Sequence, residues 1–316
     1  MIITVTLNPS VDRTVEIATL QRGEVMRASG THVHPGGKGV NVTRALLANG
    51  VDSLAVVPVG GADGMRLTGM LARDGVLHRE VPVVGHTRSN ITIAEADGTT
   101  TKINAPGEAL SAAELDAVWE AVEQNATPGD WVVLCGSLPP GVDSGVYASA
   151  TRRLRRAGMR VAVDTSGPAL TAALASGPDL IKPNAEELSE AVGRPLPTVA
   201  DAVEAARELR GWGVGSVVIS LGAAGAVMVD GAGVLAGTST ARIVRSSVGA
   251  GDCFLAGYLA GLPEGRDAAL TRALAYGAAA VALPGSGVPG PQQVDLDAAH
   301  LHSPLDLPVA LAGPTD

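Results

Sequence analysis

The residues of this chain that most clearly suggest chemistry form a glycine-rich turn that ends in an acid. Gly249, Ala250 and Gly251 precede Asp252, and an apolar run typical of a helix follows. Small residues let backbone N–H groups converge, and the helix adds its unpaired N–H groups and the positive end of its dipole. Such a turn is suited to bind phosphate, and a carboxylate beside it can accept a proton from an attacking hydroxyl. From these residues alone, a plain helix cap by Asp252 is an equal alternative.

A second glycine cluster lies near the N-terminus and leads into a helix that we predict over residues 40–49. It contains Gly36, Gly37 and Lys38, and Asn41 follows in the helix. The cluster lacks both the Lys-Ser/Thr ending of a Walker A loop and the Gly-x-Gly-x-x-Gly spacing of a dinucleotide site. Small residues let a ligand approach the backbone, while Lys38 and Asn41 offer it polar groups. The alternative is a tight turn with a solvated lysine.

Together with the opening Asn-Pro-Ser-Val-Asp at residues 8–12, these motifs resemble the ribokinase-like (PfkB) carbohydrate kinases. The lysine of Gly-Gly-Lys-Gly and the Leu-Asn-Pro-x-x-Asp opening are most similar to the branch of 1-phosphofructokinase and tagatose-6-phosphate kinase. The resemblance extends from about residue 3 to about residue 292 and rests on several motifs in the family's order. It supports Asp252 as the catalytic base, with the amides of Gly249, Ala250 and Gly251 stabilising the transferred phosphoryl group.

A phosphorylated sugar needs groups for its hydroxyls and cations for its phosphate. Asp12 would hold hydroxyls together with Gly37 and Asn41. Arg27, Lys38 and Arg88 would hold the phosphate, arginine as a planar fork and lysine as a point charge. The full set of substrate-binding candidates is Asp12, Arg27, Gly36, Gly37, Lys38, Asn41, Arg88, Lys102 and Ser137. A turn position for Asp12 and solvated surface positions for Arg27 and Arg88 are the alternatives.

Candidates for nucleotide binding lie in the C-terminal half. The element Lys-Pro-Asn-Ala-Glu-Glu at residues 182–187 resembles the family's Asn-x-x-Glu motif, which implies Mg²⁺ bound by Asn184 and Glu187, largely through water. A helix N-cap by Asn184 with Glu187 at the third position is an alternative that is compatible with metal binding. The expected ATP-binding residues are Lys182, Asn184, Ser220, Gly222, Gly225 and Ser286. A requirement for a monovalent cation such as K⁺ is left open.

The composition limits the classes of partner. The 316 residues are 46% hydrophobic and only 2% aromatic, so we expect a large core of Val, Leu, Ile and Ala. The net charge of −9 argues against a nucleic-acid partner and against an anionic membrane surface. The first residues are typical of a strand rather than a signal peptide, and two cysteines, Cys135 and Cys253, provide no disulfide framework. These features predict a cytoplasmic protein without a membrane span.

Apolar stretches typical of strands alternate with helical patterns along most of the chain. We predict strands at 2–7, 54–59, 131–135, 160–164, 179–182, 216–220 and 226–229, and helices at 40–49, 64–74, 111–124, 144–157, 185–192, 198–213, 251–261 and 267–282. This alternation predicts a three-layer α/β fold around a doubly wound, mostly parallel sheet, as in ribokinase-like proteins.

Two segments, 12–35 and about 79–104, interrupt this alternation with short strands and no helix between them. We predict that they form a small β-sheet lid on a kinase domain of residues 1–302, followed by a loose tail at residues 303–316. The resemblance implies that the lid covers the sugar. A small sheet with one apolar face needs a partner to cover it, which predicts a homodimer through the lid.

These observations favour an ATP- and Mg²⁺-dependent sugar-phosphate kinase. The favoured reaction converts fructose 1-phosphate to fructose 1,6-bisphosphate, with tagatose 6-phosphate or fructose 6-phosphate as alternative substrates. A non-catalytic nucleotide- or sugar-binding regulator on the same scaffold is the alternative from another class. Asp252 and the intact glycine clusters argue against that regulator.

Overall fold

The computed structural model describes residues 1–241 and 243–302, and within them the chain forms fourteen strands and nine α-helices. The strands are β1 (Ile2–Thr6), β2 (Ser10–Ile17), β3 (Gly30–Gly36), β4 (Ser53–Val59), β5 (His78–Pro82), β6 (Arg88–Glu95), β7 (Thr100–Ile103), β8 (Trp131–Cys135), β9 (Arg160–Asp164), β10 (Leu180–Ile181), β11 (Ser216–Ser220), β12 (Ala226–Asp230), β13 (Gly233–Ser239) and β14 (Ala299–His302). The helices are α1 (Lys38–Ala48), α2 (Gly61–Arg73), α3 (Ala112–Asn125), α4 (Val146–Arg156), α5 (Gly167–Leu174), α6 (Ala185–Val192), α7 (Val199–Gly211), α8 (Ala250–Gly261) and α9 (Arg266–Val281).

Ten strands form one large sheet in the order β14-β13-β12-β11-β10-β9-β8-β1-β4-β5. From β11 to β5 all neighbours run parallel, whereas β12, β13 and β14 extend the sheet by antiparallel pairing. The parallel strands are connected by helices, so their carboxyl ends lie along one edge of the sheet. The predicted doubly wound, mostly parallel architecture is confirmed.

Helices cover both faces of the large sheet because its central strands are apolar at nearly every position. In β8, Val132 and Leu134 pack with residues of α3 to α7 on one face. Val133 and Cys135 point to the opposite face, where they pack with α1, α8 and α9. The result is three layers, with the sheet in the middle.

The remaining four strands form a separate small sheet, the lid, in the order β3-β2-β6-β7. β2 and β6 pair in parallel, and the two outer pairs are antiparallel. Residues directly opposite each other share a face, so Asp12 lies on one face with Asn90 and His34. Ile91 and Ile103 lie opposite each other on the other face. The lid therefore has one polar and one apolar face.

The lid differs from its prediction at one segment. Residues 79–82, expected within it, belong to β5, which pairs in parallel with β4 at the edge of the large sheet. Val81 explains this placement, because it is buried in the main core while its neighbours in β5 are exposed or half-buried. An edge strand of this kind has the same alternating pattern as a lid strand.

Other differences concern short or antiparallel elements. The helix α5 was not predicted, because it spans only eight residues and begins with Pro168 in its first turn. β13 and β14 were also missed, since they join the sheet through antiparallel pairing after the βα alternation has ended. The predicted loose tail at 303–316 lies outside the described residues.

The structure bears on the state of the two cysteines and on the possibility of a membrane span. Cys135 and Cys253 are both buried free thiols. Burial, aided by the charge of Asp252, raises the pKa of Cys253 to about 12. Across residues 1–241 and 243–302, no helix is both long and apolar enough to cross a membrane.

Candidate active site

Functional side chains gather at the edge of the large sheet where its parallel strands end. Asp164 is the last residue of β9, and Lys182 directly follows β10. Three helices begin at the same edge, α1 at Lys38, α6 at Ala185 and α8 at Ala250. Ligands of doubly wound folds bind where strand ends and helix N-termini meet in this way.

Two lysines share one carboxylate at this edge. Lys38 Nζ lies 3.0 Å from Asp164 Oδ1, and Lys182 Nζ lies 3.4 Å from the same oxygen. The Asp164 side chain is completely buried, and its Oδ2 has no hydrogen-bond partner within the described residues. Burial would raise the pKa of Asp164, but the charges of Lys182 and Lys38 outweigh it and hold that pKa below its usual value. The edge therefore presents two ammonium groups held by one fixed anion.

Asp252 lies in the first turn of α8, where it is held by Asn41 of α1. Asn41 Nδ2 donates a hydrogen bond of 2.8 Å to Asp252 Oδ2. Burial and the nearby charge of Asp164 raise the pKa of Asp252 to about 6, although Lys38, Asn41 and Lys182 all favour its ionised form. A carboxylate with this pKa is ionised at neutral pH and remains basic enough to take a proton.

The start of α8 has the geometry expected of an anion-binding turn. Gly249 precedes the helix with φ 76°, a conformation that favours glycine. Within the described residues, the N–H groups of Gly251 and Asp252 have no backbone acceptor, whereas Ala250 N–H donates to Ser247 O at 3.4 Å. A Cβ on Gly251 would lie 3.5 Å from Lys182 Nζ, so the start of the helix adjoins this lysine.

Asp12 is fixed by polar neighbours on the lid. Its Oδ1 accepts hydrogen bonds from Ser10 Oγ at 2.7 Å and from Asn90 Nδ2 at 2.9 Å. A Cβ on Gly36 would lie only 2.4 Å from Asp12 Cγ, so this glycine leaves room for the Asp12 carboxylate. Gly37, with φ 112°, then starts α1. The turn through Gly37 connects the polar face of the lid directly to Lys38.

Arg88, expected to bind phosphate, has its guanidinium group engaged with the backbone. Its Nε and Nη2 donate to Asn8 O at 3.2 and 3.1 Å, and its Nη1 donates to Ala105 O at 2.7 Å. These bonds connect β6 to the turn after β1 and to the segment that follows β7. Arg88 therefore holds the lid against the large sheet in this structure.

Asn184 and Glu187 form a capping box at the start of α6. Asn184 Oδ1 accepts from Glu187 N–H at 2.7 Å, and Glu187 Oε2 accepts from Asn184 N–H at 2.9 Å. The other oxygen, Oε1, lies 3.9 Å from Lys38 Nζ. Burial would lower the pKa of Lys38, but the charges of Asp164, Glu187 and Asp252 raise it above its usual value. In the part of the chain that the structure describes, no group of three or more His, Cys, Asp or Glu side chains could hold a metal ion.

The remaining nucleotide candidates fall into two places. Ser220 pairs with Asn184 through an isolated parallel bridge, and Gly222 begins the 3₁₀ turn that follows β11. Packing accounts for Gly225, because its φ is 93° and a Cβ would lie 2.2 Å from Gly237 O of β13. Ser286 is buried beside Gly249, at the other end of the site.

Three predicted substrate residues are not joined to this cluster. Arg27 is exposed in the loop between β2 and β3, and no hydrogen bond or ion pair links it to the other candidates within the described residues. Ser137 is exposed in the loop after β8. Lys102 is exposed on the edge strand β7, opposite Thr92 and on the same face of the lid as Asp12.

Sequence reasoning missed Asp164, Asn90 and Arg44. Asp164 had a signal, because it is the first charged residue after the apolar run of β9. Asn90 donates a hydrogen bond to Asp12 and accepts one from Ala105 N–H at 3.2 Å. These contacts depend on the pairing of the lid strands, which the sequence does not show. Arg44 donates to Asn41 Oδ1 at 3.5 Å and to Ser286 O at 3.3 Å. The second acceptor is a backbone carbonyl, which every residue has, so the sequence cannot indicate this contact.

Comparison with known proteins adds a family and its relatives. The model of the pfkB family carbohydrate kinases matches residues 5–293. A protein of Rhodobacter capsulatus named 1-phosphofructokinase is 41% identical over 277 residues, which cover 87% of each chain. The 1-phosphofructokinase of Escherichia coli K12 is 36% identical over 295 residues, covering 90% of this chain and 91% of the relative.

Solved structures of phosphofructokinase-2 from Escherichia coli are similar to this fold. The complex with substrates and products aligns with a TM-score of 0.88 at 33% identity, covering 93% of this chain and 96% of that one. The complex with potassium aligns equally well at 32% identity, with the same coverage. A tetrameric inhibited form has a TM-score of 0.82 at 35% identity and covers 89% of this chain and 92% of that one.

Proposed function

The chain belongs to the pfkB family of carbohydrate kinases, and on that premise we propose that it phosphorylates fructose 1-phosphate with ATP. The products are fructose 1,6-bisphosphate and ADP. The observation that carries this proposal is Asp252, buried at the start of α8, held by Asn41 and facing the charges of two lysines. The name of the relative in Rhodobacter capsulatus favours fructose 1-phosphate as the substrate.

In the proposed reaction, the 6-hydroxyl oxygen of the sugar attacks the γ-phosphorus of ATP. A new P–O bond forms, the bond from the γ-phosphorus to the bridging oxygen breaks, and ADP leaves with that oxygen. The hydroxyl proton passes to Asp252 Oδ1, which has no hydrogen-bond partner among the described residues, while Oδ2 accepts from Asn41. The base contributes about 10²–10⁴ in rate, the usual range for general base catalysis.

Charge on the transferred phosphoryl group would be balanced from two sides. The start of α8 supplies backbone N–H groups at Gly251 and the positive end of the helix dipole. Lys38 and Lys182 supply two ammonium groups that Asp164 holds in place. Because Asp164 is buried and shared, the lysines need little reorganisation when the phosphates bind.

The sugar would lie on the polar face of the lid. Asp12, held by Ser10 and Asn90, is oriented to accept hydrogen bonds from hydroxyl groups. Lys102, on the same face of the lid as Asp12, would bind the phosphate already on the sugar, and Arg88 supports the lid beneath it. Arg27 remains a candidate for the phosphate and Ser137 for the sugar, and both are exposed in loops.

The nucleotide would lie along the ends of β10 and β11, near Asn184, Ser220 and Gly222. The residues fit Mg²⁺ bound largely through water, since Glu187 Oε1 is outside the capping box and the buried Oδ2 of Asp164 has no hydrogen-bond partner in the described residues. When bound with ATP, Mg²⁺ supplies positive charge to the phosphates. Dependence on K⁺ is an additional proposal, supported by the potassium complex of phosphofructokinase-2.

Turnover of a panel of sugar monophosphates tests the proposal. Purified protein with Mg²⁺ and ATP should show its highest kcat/KM with fructose 1-phosphate, and the product should be identified as fructose 1,6-bisphosphate by NMR. Unphosphorylated fructose should be a poorer substrate by about 10³-fold, because charge-assisted hydrogen bonds to phosphate contribute roughly 1.5–3 kcal/mol each. Equal turnover of plain fructose would contradict the sugar-phosphate assignment.

Fructose 6-phosphate is the second candidate substrate. The observation in its favour is the 33% identity to phosphofructokinase-2 of Escherichia coli, which was solved in complex with fructose 6-phosphate. The same panel separates the two, because a higher kcat/KM with fructose 6-phosphate would select this alternative. Tagatose 6-phosphate belongs in the panel because the Gly-Gly-Lys-Gly and Leu-Asn-Pro-x-x-Asp motifs also resemble tagatose-6-phosphate kinase.

We also propose that the enzyme is a cytoplasmic homodimer. The apolar face of the lid carries Ile91 and Ile103, which are 39% and 55% exposed in the single chain. A second copy packed against this face would cover both side chains. The two buried thiols are consistent with a reducing compartment.

A further inference from the structure

Arg44 is a cation that the proposed mechanism does not use. It lies on α1, three residues after Asn41 and on the same face of the helix. Burial lowers the pKa of its guanidinium group, and no carboxylate lies within ion-pair distance of it among the described residues. A half-buried arginine without an acidic partner requires another explanation, because desolvating its charge costs free energy.

The hydrogen bonds of Arg44 lead to the proposed base through one residue. Arg44 Nη1 donates to Ser286 O at 3.3 Å and to Asn41 Oδ1 at 3.5 Å. Asn41 Nδ2 in turn donates to Asp252 Oδ2 at 2.8 Å. The carbonyl of Ser286 is part of the turn after α9, so it anchors the arginine from a separate element.

The order of these bonds determines which end of the Asn41 amide faces Asp252. An amide has a donor and an acceptor end, and rotation by half a turn exchanges them. The guanidinium group can only donate, so it favours the orientation in which Oδ1 faces Arg44 and Nδ2 faces the carboxylate. Without it, a protonated Asp252 could donate to a rotated Asn41, which would stabilise the protonated form of the base.

We propose that Arg44 is a positioning residue that fixes the amide orientation of Asn41 and thereby keeps Asp252 ionised with Oδ1 free for the substrate hydroxyl. This inference rests on the proposed function and extends it to a residue outside the sugar and nucleotide contacts. Arg44 acts only through Asn41 and touches no reacting atom.

The other charged groups around this chain of hydrogen bonds are common to the wild type and the variants. Asp252 is faced by Asp164 from β9, Lys38 from α1 and Lys182 from the end of β10. The groups that face Arg44 are Asp74 after α2, Asp12 on β2, His34 on β3 and Cys253 on α8. All of these groups are present in the Arg44 variants as well. A change in the pKa of Asp252 on substitution of Arg44 would therefore come from the orientation of Asn41 or from the lost positive charge.

The pH dependence of kcat/KM separates those two effects. Arg44→Met removes the charge and the donor, whereas Arg44→Lys keeps the charge and loses the planar fork. We expect Arg44→Met to raise the acid-side pKa of kcat/KM by about one unit, which lowers kcat/KM about tenfold below that pKa and little at pH 9. Arg44→Lys should raise it less, because the ammonium still only donates but has a shorter reach to Asn41 Oδ1 and Ser286 O. The KM for ATP should change less than twofold.

A double-mutant cycle tests the route through Asn41. In an Asn41→Ala background, Arg44→Lys should shift the profile no further, because the residue through which Arg44 acts is gone. Arg210→Met is the matched control, since Arg210 also donates from a helix to a backbone carbonyl, Gly215 O at 3.0 Å, but far from Asp252 in the fold. This control should keep the wild-type profile.

Three results would overturn the inference. The first is an unshifted pH profile in Arg44→Lys and Arg44→Met, the second is additive effects in the cycle, and the third is loss of folding in both variants, which would make Arg44 structural. Wild-type protein that turns over no sugar phosphate would instead contradict the proposed function, so the two failures are distinguishable.

Discussion

Asp252 combines features that a structural carboxylate would avoid. It is 7% exposed, it lies near the anionic Asp164, and its pKa is raised to about 6. Burial of a charge beside a like charge costs free energy, so a residue with only a capping role would be replaced at little loss by serine or asparagine. These costs are typical of a group retained for proton transfer.

Replacement of Asp252 by asparagine tests this role in catalysis. Asparagine keeps the shape and can still accept the hydrogen bond from Asn41, but it has no basicity. We expect kcat to fall by about 10²–10⁴ while the affinity for ATP changes little. Steady-state kinetics and calorimetric titration with ATP measure the two quantities. A variant that retains most of its kcat would exclude Asp252 as the base.

The same variant should be more stable than the wild type at neutral pH. The pKa of Asp252 is higher in the folded protein than in the unfolded chain, so its protonation stabilises the fold. That contribution is fully present below about pH 4 and is lost as the pH rises through about 6. Asp252→Asn should therefore raise the free energy of unfolding by on the order of 2 kcal/mol at pH 7.5.

Thermal unfolding of the ligand-free proteins at two pH values checks this sign. The difference in Tm between variant and wild type should be large at pH 7.5 and should shrink towards pH 4.5. A variant that is equally or less stable at pH 7.5 would show that the ionised carboxylate carries no such cost.

At the scale of elements, the start of α6 has a structural and a functional task. The capping box of Asn184 and Glu187 uses one oxygen of the glutamate and leaves Oε1 directed towards Lys38. The helix cap was one of two compatible sequence-based interpretations, and the structure contains it. The metal role remains a prediction, because it depends on the second oxygen.

Glu187→Gln separates the two tasks. Glutamine also serves in a capping box, so the fold and Tm should be nearly unchanged. Loss of the negative charge should raise the Mg²⁺ concentration needed for half-maximal activity by about tenfold, with little change in the KM for the sugar phosphate. Activity measured against Mg²⁺ at saturating substrates gives this number.

The matched control is Glu114→Gln, which alters the capping box of Ser111 and Glu114 at the start of α3. It should leave the Mg²⁺ titration unchanged. A Glu187 variant with an altered sugar KM and an unaltered Mg²⁺ titration would contradict the assignment.

Local signals account for the parts of the fold and site that the sequence predicts. The glycine turns at Gly37 and Gly249 precede α1 and α8 as expected, because their backbone conformations and helix starts are determined by neighbouring residues. Asp164 was missed because its partner Lys38 lies 126 positions away along the chain. The contacts of Arg88 could not be predicted either, since they are backbone carbonyls that any residue can offer, and its role in phosphate binding stays a prediction.

At the scale of the whole molecule, the proposed dimer would connect assembly to the candidate site through the lid. Its polar face carries Asp12 and Asn90, and its other face carries Ile91 opposite Ile103. Ile91 and Ile103 are both partly exposed on that face, and apolar side chains exposed together mark an interaction surface. Packing against a second copy would therefore order the same strands that hold Asp12.

Ile103→Asp tests this coupling between assembly and substrate binding. In a twofold-symmetric dimer each substitution occurs twice, and each places a charge in an apolar interface, which costs several kcal/mol. We expect the wild type to be a dimer at micromolar concentration and the variant to be a monomer, as measured by analytical ultracentrifugation. The matched control is Met65→Asp on α2, where the methionine is 73% exposed but lies outside the lid.

Kinetics of the same proteins determine whether the dimer supports the site. In the proposed dimer, β6 and β7 would carry the interface on one face and the proposed sugar site on the other, so the monomeric variant should have a KM for the sugar phosphate raised at least about tenfold. The KM for ATP should change little, since the nucleotide candidates follow β10 and β11 at a distance from the lid. High protein concentration should restore the sugar KM as the dimer re-forms by mass action. A monomeric wild type would contradict the dimer, and a monomeric variant with wild-type kinetics would show that the lid is ordered without it.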